Sequence, residues 1–156
     1  MKLGTLKNKQ SRDGELVVVS QDNKKAVKVN DIAPSLLYAM DHWSDVEPKL
    51  QSVYKKLNAG DMPETFDVDQ SQFHSPLPRT FQWADGSAFI HHIKLVRMAR
   101  NAPLPETLET VPLMYQGGSD SFLSPTEDIP QVDFEHGTDF EGEVAVVTGD
   151  VPIGVS

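Results

Sequence analysis

A chain of 156 residues is long enough for one ordinary domain or two small ones, and a hydrophobic fraction of 38% excludes wholesale disorder. It contains no cysteine, which excludes disulfides, thiol catalysis and thiolate metal sites, and no apolar run reaches membrane-spanning length. Residues 1–100 carry all 14 Lys and Arg against 12 acids, whereas Asn101 to Ser156 hold 11 acids and no base, which argues against nucleic acid as a partner.

Met1 to Gln10 carries lysines but no apolar signal core, so the default location is the cytoplasm. Lys2 to Leu6 reads as a short strand, Asp13-Gly14 as a turn, and the β-branched run Glu15 to Ser20 as a second strand. A polar turn at Gln21 to Lys24 leads into a third strand, Lys25 to Val29. Ser35 to Trp43 predicts a helix. Ser44-Asp45-Val46-Glu47 has the form of a capping box for the next one, along which Val46, Leu50, Val53 and Leu57 recur at helical spacing. Asn58-Ala59-Gly60 supplies its stop.

Asp61 to Arg79, with Pro63, Pro76 and Pro78, reads as a linker, and a domain boundary falls near Phe73 to Arg79. Asp85 to Arg100 predicts a helix with Asp85 as its N-cap. Strands are expected near Val111 to Tyr115 and Ser121 to Leu123, parted by Gly117-Gly118, and a valine-rich strand over Asp139 to Thr148.

Two clusters carry chemistry. If Asp139 to Val147 is a strand, Asp139, Glu141 and Glu143 share a face, and Val144 and Val146 take the other. Carboxylates so placed repel one another, and a divalent cation such as Mg2+ relieves that repulsion; an exposed acidic face is the plainer alternative. In Trp83 to His92, Asp85 and His92 are seven residues apart, two turns along one helix face. An acid holding a metal and a histidine activating water suit such a face; an ordinary cap and ordinary histidines at His91 and His92 are the alternative.

The spacing Asp85…His92…Glu141-x-Glu143, with Pro112-Leu113-Met114-Tyr115-Gln116-Gly117 between, resembles the fumarylacetoacetate hydrolase family. The opening Met1 to Leu6 and the junction Ser75-Pro76-Leu77-Pro78-Arg79 resemble bacterial members with a small N-terminal domain. The resemblance implies an α+β, strand-rich fold, with a fumarylacetoacetase-like N-terminal module over residues 1–78. The first part of a mixed β-roll, truncated, then occupies 79–156.

It further implies a divalent metal, Mg2+ or Ca2+ with Mn2+ as a further option, held by Asp85, Glu141 and Glu143. His92 becomes the general base and Tyr115 a substrate contact. The implied substrate is a small diketo acid. The reaction is hydrolysis of 4-fumarylacetoacetate to fumarate and acetoacetate, as in tyrosine degradation.

Acylpyruvase and oxaloacetate decarboxylase members carry a His-x-x-Glu dyad; here Leu95 stands at its glutamate position, which favours the hydrolase branch. The family core continues well beyond Ser156, so the expectation is an incomplete site on a fragment of a homodimeric enzyme. A catalytically inactive fragment that acts only by association is the alternative.

Overall fold

The computed structural model describes residues 1–135, 137 and 140–155. The chain divides into two compact units, one of Met1–Leu77 with Leu123–Ser156 and the other of Pro78–Phe122.

The first unit is organised by an antiparallel meander. Strands β1 (Lys2–Asn8), β2 (Ser11–Val19), β3 (Lys25–Lys28) and β4 (Phe66–Asp67) lie side by side in chain order. The run Leu16 to Val19 is apolar without alternation because both faces of β2 are covered. Leu16 and Val18 pack with Leu36, Val46, Leu50 and Leu57 from helices α1 (Leu36–Asp41) and α2 (Trp43–Ala59). On the opposite face Val17, Val19, Leu6 and Ala26 are covered by Phe66, Val68 and Phe73.

Three local expectations are corrected here. Asp13-Gly14 is not a turn. The chain reverses at Lys9-Gln10, and Gly14 lies inside β2, where the register slips between Leu6 and Asn8. Glycine serves a bulge as it serves a turn, by supplying a positive φ, here +67°. Ser44 caps nothing: α2 begins at Trp43 behind His42, which makes no side-chain capping bond, so Ser44 is already in the first turn. The serine that caps is Ser35, whose hydroxyl accepts from the Tyr38 amide at 3.2 Å.

The segment after Asp61 is more than a linker. It contributes β4, paired with Lys25 and Ala26, and a bridge from Phe73 to Leu6. The His74 amide donates to the Thr5 carbonyl at 2.8 Å. Short extended pieces between prolines can complete a sheet edge without looking like strands in sequence. The stop at Gly60 stands as read, with the glycine in the left-handed region at φ 81°.

The second unit contains a two-stranded antiparallel ribbon, β5 (Trp83–Ser87) with β6 (Leu113–Gly117), and helix α3 (Ile90–Ala99). Its ends are tied by the Thr80 amide to the Ser119 carbonyl and the Phe122 amide to the Pro78 carbonyl. Ile93 and Leu108 are its buried apolar side chains. No helix among the described residues is long and apolar enough to cross a membrane.

Candidate functional site

Asp85 lies in strand β5 rather than at a helix N-terminus, which corrects the expected cap. Residues Trp83 to Ser87 alternate between large or polar and small side chains, a period of two, and β6 pairs with all five. Helix α3 starts only at Ile90, behind Phe89, with no side-chain capping bond. Asp85 and His92 therefore sit on different elements, and the two-turn spacing between them is not a helical one.

What the ribbon brings together is Asp85 and Tyr115. They are directly opposed in the antiparallel register, so their side chains share one face with the neighbouring pairs Trp83–Gly117 and Ser87–Leu113. Trp83 meets Tyr115 edge to face, with ring centroids 5.7 Å apart and planes at 81°. Asp85 is half-buried on that face, while Tyr115 is 60% exposed. Beside it, Ser87, Ala88, Ile90 and the stretch Leu108 to Pro112 line a shallow cleft of ≈ 260 Å³. His92 occupies the first turn of α3 and is exposed.

Glu141 and Glu143 lie in the other unit, in exposed chain without a ladder, and Asp139 falls outside the described residues. The expected strand over Asp139 to Thr148 is not formed at its described positions, and Val144 and Val146 are 94% and 80% exposed rather than sheet core. The strand expected at Ser121 to Leu123 is likewise absent. The donor set, carboxylates without thiols, has the chemistry a hard cation prefers. Among the described residues, no three of His, Asp and Glu gather closely enough to hold one.

Sequence reasoning missed the roles of Trp83 and Gly117 in shaping the ribbon face. The signal was the alternation itself, Trp-Ala-Asp-Gly-Ser, set against Gly at the opposing position.

An α+β module led by a four-stranded meander is followed by a ribbon that displays an acid, a phenol and an indole on one face, so the chain has two parts. Residues 1–79 match the family model for fumarylacetoacetase N-terminal domain 2, and residues 82–155 match that for the fumarylacetoacetate hydrolase C-terminal region. The chain belongs to the fumarylacetoacetate hydrolase family. That membership points to a hydrolase- or decarboxylase-type function, in a family whose enzymes commonly use a divalent metal. None of the curated proteins matches the chain.

Proposed function

We propose that the chain serves the hydrolytic branch of its family, cleaving a carbon–carbon bond in a 1,3-diketo acid. The specific reaction is 4-fumarylacetoacetate with water giving fumarate and acetoacetate. The observation that carries the reading is the Asp85–Tyr115 pair on one open ribbon face, with His92 following on α3. Leu95 at the third position after His92 supports hydrolysis over decarboxylation, because the dyad's glutamate is missing.

In this reading His92 takes the proton from water as its oxygen bonds to the carbonyl carbon. The carbon–carbon bond then breaks, its electron pair passes to the departing enolate, and the proton returns to that carbon. Tyr115 orients the substrate through its phenol. Asp85, Glu141 and Glu143 are the oxygen donors to which Mg2+, Ca2+ or Mn2+ would be drawn, although the described arrangement gathers no such site. The working enzyme is read as a cytoplasmic homodimer.

A second reading, association with another chain in place of catalysis, is favoured by one observation. The apolar residues Val144, Val146 and Ile153 are largely exposed to solvent.

The test is turnover of 4-fumarylacetoacetate by the folded chain with excess Mg2+, beside an Asp85→Asn, His92→Ala double variant. Turnover reduced by at least about a hundredfold in the variant is the expected result. Faster consumption of oxaloacetate would move the reading to the decarboxylase branch. No turnover of either substrate by a folded sample would leave association.

A further inference from the structure

Gly117 has no conformational reason to be glycine, since its φ lies outside the left-handed region that Gly14, Gly60, Gly137 and Gly154 occupy. The reason lies on the opposite strand. Gly117 faces Trp83, and a methyl group placed on it would run into the six-membered ring of that indole. The same methyl would stand 3.3 Å from Cε1 of Tyr115. The missing side chain lets the indole lie down over β6 and meet the Tyr115 ring edge to face.

A phenol on a two-stranded ribbon, 60% exposed, has little else to hold its rotamer. We infer that Trp83, seated on Gly117, is the positioning residue for Tyr115, fixing the direction in which the phenol is presented beside Asp85. This role rests on the proposed hydrolase reading, in which Tyr115 contacts the diketo acid. Trp83 itself transfers nothing. It acts by pre-ordering a side chain whose freedom would otherwise be lost on binding.

The experiment uses the full chain in a Trp43→Phe background, which leaves Trp83 as its one tryptophan. Emission from Trp83 should shift to the red in Gly117→Ala, where the indole is lifted from β6 towards water. Turnover is followed with 4-fumarylacetoacetate, and binding through quenching of the same emission by acetopyruvate, a simple 1,3-diketo acid. Trp83→Ala and Gly117→Ala should each raise KM about three- to tenfold, with kcat held within about twofold. Trp83→Phe, which keeps a ring over Gly117, should recover most of the loss.

A merely structural role would lower kcat and melting temperature together in Trp83→Ala, with no recovery in Trp83→Phe, and would overturn the inference. Unshifted emission in Gly117→Ala would overturn it as well, because the seat would not exist. Wild-type KM in both Trp83→Ala and Gly117→Ala, with turnover intact, would remove the positioning role and leave the hydrolase reading standing. If the unsubstituted chain neither turns over the one compound nor is quenched by the other, the hydrolase reading fails and takes the role with it.

Discussion

Glu15-Leu16-Val17-Val18-Val19 and Glu143-Val144-Ala145-Val146-Val147 are nearly the same string of residue types, and they end in opposite states. The first is the centre of the molecule's largest sheet, with β1 on one side, β3 on the other and apolar cover on both faces. The second has no ladder among the described residues, and its valines face solvent. Both lie in the same compact unit. Valine favours a pleated, half-buried surface, and where no neighbouring strand or covering helix provides one the preference alone forms nothing.

Substitution can break this contrast at several points. The largest expected difference lies between Leu50→Ala, which empties a fully buried position beneath β2, and Val146→Ala in the uncovered string. The first should cost about 2–5 kcal/mol in denaturant unfolding and the second less than about 0.5 kcal/mol.

Glycines sharpen it next. A methyl on Gly14 would lie 2.5 Å from the Leu6 carbonyl oxygen at a positive φ, whereas one on Gly142 meets nothing within 4 Å. Gly14→Ala should therefore lose about 2–4 kcal/mol, and Gly142→Ala should stay within about 0.5 kcal/mol of wild type by the same measurement.

The acids at the head of each string differ too. The Lys28 ammonium donates to Glu15 at 2.7 Å and holds its carboxyl below the ordinary value of 4.5, partly opposed by burial and aided by the Asn30 amide. A carboxyl lowered on folding stabilises fully above its unfolded value and loses that contribution as pH falls through the folded one. Stability should thus decline from about pH 4.5 downwards. Glu15→Gln should flatten the acid limb of a stability–pH curve by about 1 kcal/mol, a figure discounted for the exposed Lys28.

The smallest effect concerns caps. Ser35→Ala should cost about 1 kcal/mol in thermal unfolding, and Ser44→Ala, at the capping box that does not form, under about 0.5 kcal/mol.

Much of the N-terminal module was legible because its signals agree with one another. The β-branched run, the polar turn, the Val46–Leu50–Leu57 stripe and the Gly60 stop all point to one packing. What misled was local chemistry with two uses. Gly14 fits a turn or a bulge, Ser44-x-x-Glu47 fits a cap or a first turn, and Asp85 before an apolar run fits a cap or a strand. The first two were decided close by, Gly14 by the register of β2 against Leu6 and Ser44 by α2 starting at Trp43. For Asp85 the deciding partner is Tyr115, far along the chain and outside any window of a dozen residues. Beta-strand β4 escaped notice for the same reason, since two residues between prolines carry no period. The carboxylates were legible as residue types at a spacing, but their gathering depends on tertiary neighbours that a spacing does not encode.

Amide hydrogen exchange of the folded chain, read over Glu15 to Val19 and Glu143 to Val147 in one experiment, separates a covered strand from an uncovered string. Slow exchange near the global unfolding limit is expected for the first string and exchange close to the unstructured rate for the second. Comparable protection in both would contradict that contrast, because the second string would then have a ladder and a covering surface of its own.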